Sequence, residues 1–318
     1  MKQENYDFYD RTMLKLYNLN QTMQAQLNAL SNLDVFTRKH CENVAAITCR
    51  LCSYLHCSKG FTEYCTLCAY LHDLGKLFIP PEILQKPSKL TDEEYEIMKT
   101  HTTIGYNMCI RDEALRPYSA GPLYHHEALD GSGYPNHLTK EDIPYEGQII
   151  RVADEYDAIV SKRQYKSHID ISDTLKILIE NTKPKKSNAL KIIVDNAHPQ
   201  DNDAKYGKNN KIIVKALLKV VLDDISFEIY NLQEYMYYLL DNIDRLNKAK
   251  KYFDKMKSAK SENKREYFLE YGKMYLITNE QPENVEKIIS EYQEAYTIRK
   301  EKINKLLNEK KIIKNLKV

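Results

Sequence analysis

The 318-residue sequence lacks any apolar run close to the roughly 20 residues that a membrane-spanning helix needs. It begins with Met1-Lys2-Gln3-Glu4-Asn5, which is polar and does not provide the apolar core of a signal peptide. Neither sign of charge dominates, because 47 basic residues nearly balance 45 acidic ones. We therefore expect a cytoplasmic protein without a membrane partner. Hydrophobic residues make up 42% of the chain, which is enough for a sizeable globular core.

The sequence also lacks a glycine-rich phosphate-binding loop, a β-hairpin pattern and an internal repeat. Apolar residues instead recur at helical spacing over most of the chain, which predicts an all-α fold. One helix is expected from about Tyr6 to Leu30, and another from Glu63 to Lys76. Thr91-Asp92-Glu93-Glu94 is a capping-box pattern that predicts the start of a helix running through His101 to Cys109.

Seven cysteines are present, and without an export signal we expect them to be free thiols. Four of them have a spacing similar to that of a zinc knuckle, namely Cys49, Cys52, Cys65 and Cys68. The same residues fall on apolar faces of predicted helices, where cysteine packs as a small buried hydrophobe. Core packing is therefore the favoured interpretation. The alternative is a zinc-knuckle protein that binds a nucleic acid polymer, but a basic face studded with aromatic residues is missing from the sequence.

Residue types that ligate metals recur in order along the first half of the chain. They are His40, His72-Asp73, His101, His125-His126 and Asp154. Imidazole nitrogens and carboxylate oxygens suit cations such as Fe, Mn and Zn. An aspartate can bridge two such ions at about 3.5–4 Å, and a hydroxide that bridges them can attack a phosphoester in line. A single histidine would more often be a hydrogen-bonded core residue, but the ordered set favours a binuclear metal centre.

Three segments resemble the motifs of the HD-GYP phosphodiesterases, the branch of the HD superfamily that hydrolyses cyclic di-GMP. They are His72-Asp73-Leu74-Gly75-Lys76, His125-His126-Glu127 and Asp130-Gly131-Ser132-Gly133-Tyr134-Pro135. Val152-Ala153-Asp154-Glu155-Tyr156-Asp157-Ala158 is similar to the closing motif of the family. The resemblance extends from about Asp34 to Tyr165. It implies an HD-domain helical bundle with phosphodiesterase activity.

The resemblance also implies how the metal ions are held. One ion would be bound by His40, His72, Asp73 and Asp154, and a second by Asp73, His101, His125 and His126. Asp73 would therefore bridge the two ions. Some members of the family recruit a third ion through a glutamate one helical turn before the first histidine, but Phe36 stands at that position here. Two divalent ions are expected. Fe or Mn is the preferred metal, and Zn, Ni or Mg are alternatives.

Substrate contacts follow from the same resemblance. Lys76 would contact the scissile phosphate as a point charge. Tyr134, Arg163 and Lys166 match family positions that contact the dinucleotide, although both basic residues could also be solvated surface charges.

The sequence departs from the family pattern in three places. Gln148 stands where an arginine is common, and Thr102 stands where a proline follows the third-ligand histidine. Tyr206-Gly207-Lys208 is the candidate for the closing segment of the family, after an inserted stretch. These departures leave the predicted metal ligands intact and concern the wall of the substrate pocket.

The expected reaction is the metal-dependent hydrolysis of cyclic di-GMP to the linear dinucleotide pGpG, to GMP or to both. Two alternatives stay open: a hydrolase of another cyclic dinucleotide such as cyclic GMP-AMP, and a non-catalytic sensor of the dinucleotide. The complete ligand set and Lys76 argue against the sensor, because degenerate family members typically lose these residues.

Four parts of the chain are expected: an N-terminal helix at 1–33, the HD-GYP catalytic domain at 34–182, a linker at 183–210 and a helical C-terminal extension at 211–318. The extension is rich in tyrosine, and apolar residues from Val285 to Ile313 approximate a heptad pattern that Arg299 and Lys310 interrupt. This pattern fits a homodimer or a partner protein bound through the C-terminal helices. Helices that pack on the catalytic bundle are the alternative.

Overall fold

The computed structural model describes residues 21–33, 35–161, 171–184 and 205–318. Within these ranges the regular elements are helices, so the predicted all-α fold is confirmed. No helix in the described ranges combines the length and the apolar character needed to span a membrane. The cytoplasmic location stays a prediction.

Short and medium helices make up the chain as far as residue 180. They are α1 (Gln21–Leu33), α2 (Val35–Tyr54), α3 (Lys59–Leu71), α4 (Pro81–Leu84), α5 (Asp92–Lys99), α6 (His101–Arg111), α7 (Ala120–Tyr124), α8 (Tyr145–Ser161) and α9 (Ile171–Glu180). Two 3₁₀ helices cover Leu74–Phe78 and Arg116–Tyr118. The part of the predicted first helix that precedes Gln21 lies outside the described residues.

The core forms where three of these helices meet. α2 packs against α3 and α8, while α6 packs against α7 and the first 3₁₀ helix. The side chains between them are large, apolar and fully buried, among them Leu51, Leu71, Leu74, Ile149 and Ile150. Burial of one such side chain stabilises a fold by roughly 1.5–3 kcal/mol. The packing therefore fixes the helix ends that carry the predicted metal ligands.

The helix predicted from Glu63 to Lys76 ends early, and the prediction was wrong beyond Leu71. A 3₁₀ helix follows, and Gly75 explains the change. A Cβ atom on Gly75 would lie 1.9 Å from the carbonyl oxygen of His101 and 2.6 Å from the amide nitrogen of Gly105. Only glycine allows so close an approach to α6, and this contact brings the segment after His72 beside His101.

The helix predicted from the capping box through His101 is in fact two helices. The capping box itself is confirmed, since Thr91 and Glu94 each accept a hydrogen bond from the backbone amide of the other. α5 ends at Lys99 and α6 begins at His101, with Thr100 between them. The hydroxyl of Thr100 donates to the carbonyl oxygen of Ile97 at 2.6 Å. Such local side-chain bonds compete with regular helix, which accounts for the break.

The chain divides into two compact units, residues 1–221 with 316–318 and residues 222–315. The later helices are α10 (Lys211–Ser258), α11 (Glu262–Lys273) and α12 (Val285–Lys314), with a 3₁₀ helix at Pro282–Asn284. The second unit has its own core, formed by Leu246, Ala249, Phe253, Val285 and Ile289. Apolar residues at the start of the heptad pattern thus pack against α10 of the same chain. The predicted domain bounds and the homodimer stay predictions.

The cysteines are free thiols, as predicted. The four with zinc-knuckle spacing, here called the helix-face cysteines, are buried, with at most 7% of any one exposed. Groups of metal-ligating atoms that lie close enough to share an ion contain no cysteine in the described ranges. These residues fill the core, which agrees with the favoured interpretation.

Candidate metal centre

The predicted metal ligands come together from five places in the first unit. His40 lies in α2, His72 and Asp73 follow the end of α3, and His101 begins α6. His125 and His126 follow the end of α7, and Asp154 lies in α8. Their ligand atoms form groups, and within each group all ligand atoms lie within 4.8 Å of one another. One group is His101 with His125 and His126, and another is His40 with His72 and Asp73. One of these groups belongs to each half of the predicted set, and a third group, His72 with His125 and Asp154, joins residues of both halves.

Backbone carbonyl groups orient three of the buried histidines. In each case Nδ1 donates to a carbonyl oxygen three or four residues earlier: His72 to Ala69 at 2.7 Å, His101 to Met98 at 2.6 Å, and His125 to Gly121 and Pro122 at 3.0 Å. A carbonyl oxygen can only accept, so Nδ1 carries the proton in each ring. In a neutral ring with its proton on Nδ1, the lone pair lies on Nε2, which is the atom that a metal binds.

The bare Nε2 atoms of His101 and His125 lie only 3.2 Å apart. Two acceptors at this distance repel each other unless a cation or a proton lies between them. Burial, the largest cause, lowers the pKa of His101 to about 4 and also holds the pKa of His125 below its usual value. A proton is therefore disfavoured. The Nε2 atom of His72 is also buried, and it has no hydrogen-bond partner among the described residues. The donor set thus fits divalent cations.

Asp73 lies between the two groups of histidines. Its Oδ2 is 3.3 Å from His72 Nε2 and 3.7 Å from His40 Nε2. Its Oδ1 is 3.5 Å from His101 Nε2 and 4.0 Å from His125 Nε2. Burial alone would raise the pKa of Asp73, but interactions with His72 and Lys76 outweigh it and hold the pKa well below the usual range. An ionised carboxylate with one oxygen toward each group can bridge two ions.

His40 differs from the other histidines because both of its nitrogens face carboxylates. Nε2 lies 2.9 Å from Asp154 Oδ1, and Nδ1 lies 2.6 Å from Asp157 Oδ2. Burial lowers the pKa of His40, but the two carboxylates outweigh this and raise it to about 10. Asn43 donates to the other oxygen of Asp157 at 3.1 Å. Sequence reasoning missed Asp157 as a site residue, although it follows Asp154 by three positions and so shares its helix face.

Lys76 lies beside the predicted bridging carboxylate. Its Nζ donates to Asp73 Oδ2 at 2.6 Å, and 20% of its side chain is exposed. Burial would lower the pKa of Lys76, but the charge of Asp73 raises it, so the side chain is an ammonium. The cation therefore stands at the edge of the metal centre, where it also has access to solvent.

A buried glutamate shapes the loop that carries Tyr134. The carboxylate of Glu127 accepts hydrogen bonds from the backbone amides of Asn136 at 2.6 Å and Leu138 at 2.9 Å. The amide of Tyr134 donates to the carbonyl oxygen of His126 at 3.2 Å. As a result the Tyr134 ring stacks on His126, with centroids 4.6 Å apart and planes 27° apart. Tyr134 thus lies beside the centre, where a substrate contact was expected.

The remaining predicted positions lie farther from the histidines or outside the residues that the structure describes. Arg163 and Lys166 lie outside the described residues. Gln148 is buried and bonds to the carbonyl oxygen of Ile143 and to the side chain of Asn210. The candidate closing segment lies against the loop after His126, because the carbonyl oxygen of Lys208 accepts from the amide of Leu129 at 3.1 Å.

The HD domain family matches residues 19–189, which is more than half of the chain, and the chain belongs to this family. Its motifs place it in the HD-GYP branch, as the sequence predicted. A cyclic di-GMP phosphodiesterase of Thermotoga maritima is 44% identical over 144 residues, which cover 44% of this chain and 39% of that protein. A cyclic di-GMP phosphodiesterase response regulator of Xanthomonas campestris is 45% identical over 96 residues, covering 30% and 25%.

A 3'3'-cGAMP-specific phosphodiesterase of Vibrio cholerae is 44% identical over 96 residues, which cover 30% of this chain and 18% of that protein. The chain therefore spans well under half the length of each of these three relatives.

Proposed function

We propose that the chain hydrolyses a 3′–5′ phosphodiester bond of cyclic di-GMP and releases pGpG, GMP or both. The observation that carries this proposal is the pair of bare Nε2 atoms of His101 and His125, 3.2 Å apart beside an ionised Asp73. A sensor that only bound a dinucleotide would not need such an arrangement of buried acceptors. Relatives named as cyclic di-GMP phosphodiesterases support the choice of substrate.

Two divalent ions are proposed for this centre. His40, His72, Asp73 and Asp154 would hold one, and Asp73, His101, His125 and His126 would hold the other. The donors are imidazole nitrogens and carboxylate oxygens without a thiolate, which suits Fe or Mn, with Zn, Ni or Mg as alternatives. When bound, the two ions would activate a water molecule and neutralise charge on the phosphoryl oxygens.

Three residues of the chain would act on the substrate or on its ligands. Asp73 stays ionised through its contact with Lys76 and keeps one oxygen toward each half of the centre. The ammonium of Lys76, beside this carboxylate, would contact a phosphoryl oxygen and stabilise the charge that grows there. Tyr134 would pack against the dinucleotide beside His126.

Cyclic GMP-AMP is the second candidate substrate. A specific observation favours keeping it, since a relative named for this dinucleotide is 44% identical over 96 residues, and a cyclic di-GMP phosphodiesterase is 44% identical over 144. The two substrates share the phosphodiester ring and differ in one purine, so the metal centre itself does not discriminate between them.

The test is turnover of a panel of cyclic dinucleotides by protein purified without oxygen, with its metals counted. We expect two ions per chain and conversion of cyclic di-GMP to pGpG or GMP. Faster conversion of cyclic GMP-AMP would identify that dinucleotide as the substrate and leave the proposed type of reaction unchanged. Tight binding of dinucleotides without any conversion by fully metallated protein would refute the proposal in favour of a sensor.

A further inference from the structure

An aromatic side chain on α5 lies next to Tyr134. The Tyr95 ring meets the Tyr134 ring edge-on, with centroids 6.5 Å apart and planes 79° apart. Tyr134 in turn stacks on His126 of the metal centre. The three rings therefore form a continuous row that leads outward from the histidines along one side of the site.

A single cation lies over both tyrosine rings. Lys99 Nζ is 5.0 Å from the centroid of Tyr95 and 5.7 Å from that of Tyr134. An ammonium within about 6 Å of a ring centroid is attracted to its face. The same ammonium contacts the carboxylate of Glu96 at 2.6 Å. Lys99 thus holds the two rings in their relative orientation.

Local bonds order the start of the helix that carries Tyr95, although the helix contributes no buried side chain. Its first turn is closed by the capping box of Thr91 and Glu94. The Glu94 carboxylate also binds Lys86 Nζ through both oxygens, at 2.5 and 2.7 Å. These bonds place the Tyr95 ring on a regular helix, which supports a binding site more precisely than a loop does.

Tyr95 is 45% exposed, so its ring is available to a ligand. Isolated exposed aromatic residues are common on protein surfaces and mean little by themselves. Tyr95 is not isolated, because it touches Tyr134 and Lys99 at the edge of the metal centre. One face of Tyr134 is already covered by His126, which leaves Tyr95 as the open aromatic surface of the row.

We propose that Tyr95 stacks against a nucleobase of the dinucleotide and determines which substrates bind, with Lys99 as a positioning residue. This inference rests on the proposed function. Each base of a cyclic dinucleotide is one ribose away from a phosphate, so a phosphate at the histidines places a base in the neighbouring space. Stacking of a base on an aromatic ring suits this role because every purine offers a flat face.

The experiment compares kinetics of Tyr95→Ala on two substrates. With cyclic di-GMP, we expect KM to rise about five- to 150-fold, the range that loss of one base–aromatic stack gives, while kcat changes little. With methyl p-nitrophenyl phosphate, a diester that has no nucleobase, both constants should stay at the wild-type values. Tyr95→Phe keeps the ring and should restore the KM of the wild type.

Tyr145→Ala is the matched control, because Tyr145 is 38% exposed in the same unit and stacks on Phe61 rather than on a residue of the centre. It should leave both substrates unaffected. Equal loss on both substrates by Tyr95→Ala would overturn the inference and assign Tyr95 a structural role. An unchanged KM for cyclic di-GMP would also overturn it. Wild-type protein that cleaves the simple diester but no cyclic dinucleotide would refute the proposed function itself.

Discussion

Replacing Lys76 by methionine separates the role of this residue in chemistry from any role in holding metal. Its ammonium lies 2.6 Å from Asp73 Oδ2 and so contacts one oxygen of the predicted bridging carboxylate. A cation at this place competes with a divalent ion and cannot ligate one. Lys76→Met is therefore expected to bind both ions at least as tightly as the wild type, since one competitor for Asp73 is gone.

The effect on turnover should be large. A preorganised donor aimed at the charge that develops in a transition state contributes about 10²–10³ in kcat, or roughly 2.7–4 kcal/mol. Lys76 meets this description, because its side chain is only 20% exposed and its position is fixed by the 3₁₀ helix that follows His72. We expect kcat with cyclic di-GMP to fall by that factor, with at most a modest rise in KM.

The assay is steady-state hydrolysis of cyclic di-GMP by anaerobically purified protein, with metals counted by mass spectrometry. Lys176→Met is the matched control, because Lys176 forms an ion pair with an aspartate at the same spacing, Asp173, on the surface of α9. The control should retain wild-type turnover. Unaltered turnover of Lys76→Met would refute the catalytic role, and loss of an ion from this variant would mean that Lys76 supports the ligands instead.

Three further changes test the centre and its surroundings. Asp73→Ala should abolish hydrolysis and at least one bound ion, because its two oxygens face both groups of histidines; a variant that kept both ions and near-normal turnover would contradict the bridging role. Asp157→Ala should weaken metal binding about 10- to 100-fold, the usual effect of losing the carboxylate that orients a ligating histidine. A chelator titration measures this, and unchanged affinity would leave Asp157 with a packing role. Alanine at the four helix-face cysteines should leave metal content unchanged and lower the free energy of unfolding by about 1 kcal/mol per site, measured by denaturant titration; loss of a zinc ion would reverse that interpretation.

The sequence predicted the helices well where their pattern is local. Capping residues and apolar spacing placed α5 and α12 to within a residue at their starts. It failed at the end of α3, because the break depends on the contact of Gly75 with the backbone of α6. That contact joins parts of the chain that lie 26 or more positions apart, and no local pattern encodes it.

The residues of the centre were predicted because each carries a ligating side chain at a position that matches a family motif. Their orientation was not predictable in the same way. Carbonyl oxygens of Ala69 and Met98 fix the rings of His72 and His101, and a backbone carbonyl leaves no trace in the sequence. The row from His126 through Tyr134 to Tyr95 was equally hidden, since it arises from the packing of α5 beside the loop after α7.

The two halves of the centre are prepared for metal in different ways. His101 and His125 are turned by carbonyl groups and kept neutral by burial, so their lone pairs are ready before an ion arrives. His40 lies between the carboxylates of Asp154 and Asp157, which raise its pKa to about 10 and keep it protonated at neutral pH. An ion at His40 must therefore displace a proton, so its binding strengthens as the pH rises, while binding at His101 and His125 needs no such exchange. The displaced proton is the one on Nε2, while the proton on Nδ1 stays in its hydrogen bond to Asp157 and leaves Nε2 free for the ion.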